Sequence, residues 1–170
     1  MSNLLSLPDT CAPDRAAALA HAVRSRGITA ISHHSAAHVH GLTSEAPALV
    51  HVLALRGSHP TSSSGVIVHH TRTLDARSVV RVGDVPITDI ASTVVMMAAY
   101  STVAEMQAMI RAACRLDVSI EQLRHVATVR RRRGRAGPGR LLDALEQLGH
   151  DTRGELRARR RGEQLAPPAA

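Results

Sequence analysis

The sequence predicts an α+β fold: a small, largely antiparallel sheet of about four strands, with two leading helices and four following ones. Three observations carry this. Short runs rich in Val, Ile and Leu gather between residues 49 and 88: LVHVLAL (49–55), GVIVHHT (65–71) and VVRVGDVPIT (79–88). Helix-start signals lie outside that block on both sides, so strands and helices are segregated and not alternating. The 170 residues, 44 % of them apolar, suffice for one core.

In chain order, residues 1–12 carry no pattern and read as an extended lead. Pro13 suits the first position of a helix, Asp14 is favourable in its first turn, and the Ala-rich run closes at Gly27. Ile28 to Ile31 is a short apolar stretch leading into Ser32, the expected N-cap of a second helix that ends at His40 with Gly41 as its stop. The segment GSHPTSSSG (57–65) is a surface loop, and Gly83-Asp84 is a two-residue hairpin turn. Pro86 should confine its strand to an edge, or sit at the strand's end.

Thr88 is expected to cap a helix reaching about Ala99, on which Ile90, Val94, Met97 and Ala98 recur at helical spacing. Thr102-Val-Ala-Glu105 and Ser119-Ile-Glu-Gln122 are capping boxes that open helices to about Arg115 and Val129. A last helix starts near Pro138, presents Leu141, Leu142, Leu145 and Leu148, and stops at Gly149. The expected division is a single α+β domain over 13–149 and a basic, Pro/Ala-rich, disordered tail over 150–170.

The core must be aliphatic, because the chain has no Phe, no Trp and one tyrosine, Tyr100. All 21 basic residues are Arg, which GC-rich coding explains without any functional choice. Charge is uneven. Residues 1–129 hold ten Arg against nine acids, a net of +1; residues 130–170 hold eleven against five, a net of +6. Two cysteines, Cys11 and Cys114, make neither a zinc pattern nor a disulfide framework; reduced thiols and a cytoplasmic location are expected. No charged-then-apolar leader and no long apolar run indicate a signal peptide or membrane span.

Chemistry is concentrated in two places. The first is ISHHSAAHVHGL, where His33, His34, His38 and His40 fall within eight residues. On a helix His34 and His38 lie four apart and could share an ion, but the nearest acid is Glu45 and the Glu of an HExxH pattern is missing. A structural helix is the better reading; no metal or cofactor is expected, and His33 should be buried and hydrogen-bonded. His69 and His70 end a strand and should point to opposite faces. Cys114, among Ala112, Ala113 and Leu116, reads as a small core residue. No GxSxG, no glycine-rich phosphate loop and no spaced carboxylate pair points to catalysis.

The second is Arg130, Arg131, Arg132, Arg133 and Arg135, followed by Gly137, Gly139 and Arg140. This density suits sequence-independent phosphate contact that weakens steeply with salt. A solvated linker between helices is the alternative. The shortage of aromatic rings disfavours stacking on single-stranded bases.

Several segments together resemble one family. SHHSAAHVHGL is similar to the S-H-x-S-A-A-x-x-x-G-L segment of actinobacterial AbiEi-type antitoxins of type IV toxin–antitoxin systems, with Ser32, His33, Ser35, Ala36, Ala37, Gly41 and Leu42 at its positions. GVIVHHT resembles the family's G-V-x-V-H-R-S/T strand, VVRVGDVPIT its V-x-G-L-P-V-T hairpin, and VSIEQLRHV with RRRGRAGPGRLLDAL its closing helices. The resemblance spans roughly residues 15–148. It departs where Ser92 and Met96 stand at the family's Arg and Asp positions. It also lacks the winged helix that normally precedes the Ser-His segment and the Vsr-like endonuclease domain that often follows. The resemblance implies a non-enzymatic antitoxin-like or regulatory domain acting by protein contact, with a nucleotidyltransferase-like toxin as partner. Weak DNA contact through the Arg segment, or a truncated remnant without activity, are the alternatives it leaves.

Overall fold

A computed structural model describes residues 28–58, 65–83, 85–132 and 134–160, with side chains described over 30–149 of these. The leading helix expected over 13–26, the lead before it and the last ten residues lie outside the described residues.

Five strands form one mixed sheet: β1 (Ile28–Ile31), β2 (Val50–Leu55), β3 (Val66–Thr71), β4 (Val79–Val82) and β5 (Val85–Thr88), in the spatial order β3-β2-β1-β5-β4. Two pairings are antiparallel (β1 with β2, β4 with β5) and two are parallel (β1 with β5, β2 with β3). The expectation of about four largely antiparallel strands is therefore corrected twice. Ile28–Ile31 is the central strand, although four residues are too few to show a period of two. The ten residues 56–65 can reach up to about 33 Å, more than the length of a six-residue strand, so β3 returns to the start of β2 and runs beside it in parallel.

The hairpin around Gly83 forms as expected, with Val82 opposite Val85 and Gly83 at φ +59. Pro86, however, is not in an edge strand, since β5 lies between β1 and β4. It is tolerated because the Arg81–Pro86 pair, one step beyond the turn-closing pair, is the kind that exchanges no hydrogen bonds. On its other side β5 meets β1 only at Ile31–Ile87.

The helices are α1 (His33–Val39), α2 (Ile90–Met97), α3 (Val103–Arg115), α4 (Ile120–Arg130) and α5 (Ala136–Arg160), with a short 3-10 turn at Ala76–Ser78. Both capping boxes form, Thr102 with Glu105 and Ser119 with Gln122. The α2 cap is Asp89, whose carboxylate accepts from Ser92 N at 2.8 Å. Thr88, the expected cap, ends β5 and exchanges its hydroxyl hydrogen bond with Thr93 at 2.7 Å. Helix α1 closes in a Schellman arrangement: Gly41, at φ +70, donates to His38 O, and Leu42 N to Ala37 O. Gly149 does not end α5, which runs on to Arg160; an interior glycine costs only about 1 kcal/mol relative to alanine, and the good helix formers Glu155 to Arg160 close the run.

Apolar packing forms two clusters joined by α1. Ala36 packs with Ile31, Val50, Val52 and Ile87 of the sheet, while its neighbour Ala37 joins the helical cluster around Val94, Met106, Ile110, Leu123 and Leu141. Cys114 is exposed, contrary to the reading of it as a core residue: Ala112 and Ala113 turn inward, and the next position on the helix turns out.

The N-terminal turn of α5 lies against α2 so closely that Gly137 has no room for a side chain. A Cβ there would sit 2.8 Å from Val95 O and 3.3 Å from Ala99 N. Gly137→Ala is expected to cost about 1–3 kcal/mol in urea unfolding. Gly139→Ala, with open space around the position, should be neutral or slightly stabilising. Equal effects at the two positions would contradict the close approach.

Candidate functional site

One wall of the site follows from strand register. Side chains two apart on β2 share a face, so His51 lies with Leu53, and the parallel register sets Leu53 beside His69. His51 and His69 therefore stand on the same face, with Nδ1 of one 2.9 Å from Nε2 of the other. His70, next along β3, points away and is exposed.

Helix α1 brings two further imidazoles. Its first residue, His33, takes a left-handed backbone at φ +50, a conformation that is strained for a residue with a side chain. His33 is 7 % exposed and its Nδ1 shares a 2.9 Å hydrogen bond with Ser32 Oγ. Ser32 occupies the N-cap position, but its hydroxyl is spent on His33 and not on the helix. The next turn is tied to the sheet where His51 N donates to Ser35 Oγ at 2.9 Å. The His33 ring stacks on His69 with centroids 3.6 Å apart and planes at 18°. His34 reaches His51 at 4.9 Å, and Tyr100 closes the group with its ring 5.7 Å from His33 and 6.2 Å from His69.

Burial and the mutual repulsion of the rings hold three of them, His33, His51 and His69, below the usual histidine range. Burial, then His69, His51 and His34, pushes His33 down to about 3. Burial, then His69 and His34, pushes His51 down to about 4, and burial followed by His34 lowers His69. At such values His33 and His51 are unprotonated at neutral pH, weak bases with no proton to give there as general acids. Centroids 5.1 Å apart with nitrogens at 2.9 Å mean that His51 and His69 meet end-on, one donating and one accepting. Among the described residues no group of three or more His, Cys, Asp or Glu side chains is placed to hold a metal ion. The pair considered from sequence separates. His34 joins the cluster, His38 Nδ1 is buried without a hydrogen-bond partner, and His40 Nε2 donates to Thr88 O at 2.7 Å.

The opposite wall is built around Arg130 at the end of α4. Its Nη2 donates to Ser78 Oγ at 2.7 Å and to Ser92 Oγ at 2.9 Å, and Ser92 Oγ donates to Asp89 at 2.6 Å. Burial lowers the Arg130 pKa, with Asp89 and Asp75 acting in the opposite direction. Thus Ser92, at the position of the resembled pattern's Arg, is met by a guanidinium from another helix. Arg140 is also engaged, donating to Ala99 O at 3.0 Å and Ser101 O at 2.6 Å. Arg131, Arg132 and Arg135 are exposed, and Arg133 lies outside the described residues.

Between the walls runs an open groove of about 1180 Å³, from His33, His69 and Tyr100 to Arg130, Arg132 and Arg135. Its floor is apolar, with Val95, Met96 and Val126, and the exposed Val129 lies at its side. Of the residues singled out in the sequence, Ser32, His33 and Ser35 build the imidazole wall, and the Arg segment the other; Gly41 closes α1 away from the groove. His51, Ser78 and Tyr100 were not singled out as site residues, and only their distant neighbours in the fold give them a place. No protein-family model matches the chain, and no curated protein matches its sequence. No helix among the described residues is long and apolar enough to cross a membrane.

Proposed function

We propose that this chain is a non-enzymatic, antitoxin-like regulatory domain of the AbiEi type, working by contact with a protein partner through the groove. The observation that supports this reading is convergence. His33, the strand end at His69, Asp89 with Ser92, and Arg130, Arg132, Arg135 and Gly137 are far apart in sequence and all border one groove. The apolar floor, exposed Val129 and Tyr100, and charged rim have the make-up of a protein contact surface. The partner is a nucleotidyltransferase-like toxin. The test is co-expression with such a toxin encoded beside this gene. Growth arrest should be relieved by the wild-type chain and not by Val129→Glu combined with Arg132→Glu. Absence of such a neighbour, or no relief by the wild-type chain, removes the antitoxin reading.

A second reading is weak, sequence-independent contact with nucleic acid. It is favoured by the exposure of Arg131, Arg132 and Arg135 on one side of the start of α5, where they line a shallow depression with Arg140. Affinity for duplex DNA should then fall with salt, and the slope should shrink when these three are neutralised. Arg130 is unsuitable for that test, since its guanidinium holds the fold together.

A further inference from the structure

The scarcity of aromatic residues argues against base stacking only while the rings are counted along the chain. Folding collects them. Tyr100, the one tyrosine of 170 residues, is 59 % exposed at one end of the groove. It stands edge-on to both His33 and His69, at 74° and 67°, and those two imidazoles are already stacked 3.6 Å apart. Arg132 and Arg135, both exposed, line the same groove. Two of the acids in the groove are occupied with backbone N–H groups: Asp75 accepts from Arg77 N at 3.0 Å, and Asp89 accepts from Ser92 N at 2.8 Å. With Glu121 as the third acid of the lining, against Arg77, Arg130, Arg132 and Arg135, the groove keeps a small excess of positive charge beside a cluster of rings with Tyr100 exposed. That combination recognises single strands, whose bases have free faces, while a duplex keeps its bases stacked inside.

We propose that the groove binds single-stranded nucleic acid, with a base stacking on Tyr100, whose ring is backed by the His33–His69 pair, and phosphates meeting Arg132 and Arg135. This rests on the nucleic-acid reading above and changes its ligand from a duplex backbone to an unpaired strand.

The chain supplies its own reporter, because it has no tryptophan and Tyr100 is its single tyrosine. A labelled single-stranded DNA of about 12 nucleotides, within the length that such grooves cover, is titrated onto the full chain alongside the same sequence as a duplex. Binding is read by anisotropy and the location by Tyr100 emission. The expected result is tighter binding of the single strand, with quenching of Tyr100. Tyr100→Ala should weaken it by about 5- to 100-fold, whereas Tyr100→Phe should retain it. Arg132→Ala with Arg135→Ala should flatten the salt dependence. Circular dichroism confirms that each variant is folded, and the wild-type emission needs no variant. Duplex binding at least as tight, with Tyr100 emission unchanged, overturns the proposal and leaves duplex contact standing. No binding of either form overturns both.

Discussion

Arg130→Ala is expected to lower the free energy of unfolding by about 2–4 kcal/mol, since two hydrogen bonds from a charged group are lost. The guanidinium joins the end of α4 to the 3-10 turn through Ser78 and to the start of α2 through Ser92, which also bears on the Asp89 cap. Three elements that meet nowhere in sequence are thereby fixed at one point. Lysine cannot replace it, having a compact ammonium where the fork of the guanidinium reaches two hydroxyls. Denaturant titration should place Arg130→Lys nearly as low as Arg130→Ala, while Arg131→Ala, at an exposed position, should stay within about 0.5 kcal/mol of wild type. A loss at Arg130 no larger than that at Arg131 would contradict the tie.

The second large effect is acid sensitivity. The rings of His33 and His51 have folded values of about 3 and about 4 against an ordinary 6.5. Between those values and 6.5 the unfolded chain binds more protons than the folded one. Stability is then full above pH 6.5 and lost as the pH falls below it. At about pH 4.5, His33 alone should withdraw about 3 kcal/mol; the more exposed His51 adds less because solvent screens it. His33→Asn removes the titrating ring with a residue that tolerates left-handed backbone, and should flatten the profile. Urea midpoints measured from pH 7.5 to 4.5 decide this. A wild-type profile flat below pH 6.5, or a His33→Asn profile as steep as the wild type, would be inconsistent with the buried cluster.

What could be read from the sequence was local. The capping boxes at Thr102 and Ser119 and the turn at Gly83 depend on residues within four positions, and all three form. The Gly41 stop is of the same kind. What could not be read was set by pairing across distance. Ile28–Ile31 becomes the centre of the sheet only because β2 and β5 flank it. The parallel run of β3 depends on where a ten-residue loop lands, and its register puts His69 against His51. The four crowded histidines of the Ser-His segment drew attention to spacing within one helix. The structure splits them, keeping His33 and His34 and replacing the other two with partners 18 and 36 residues beyond His33. The Arg run divides likewise, because Arg130 and Arg140 find oxygen acceptors in neighbouring elements while Arg131, Arg132 and Arg135 do not lose their exposure.

The imidazoles of His33, His34, His51 and His69, distant in sequence, form one cluster on the wall of the groove. Histidine ring nitrogens report this directly through long-range ¹H–¹⁵N NMR spectra recorded as the pH is lowered. His33 and His51 should keep neutral-ring signals at pH 5.5, with His51 and His69 in tautomers that place one proton between them. Protonation of His33 and His51 in step near pH 6.5 would contradict the cluster.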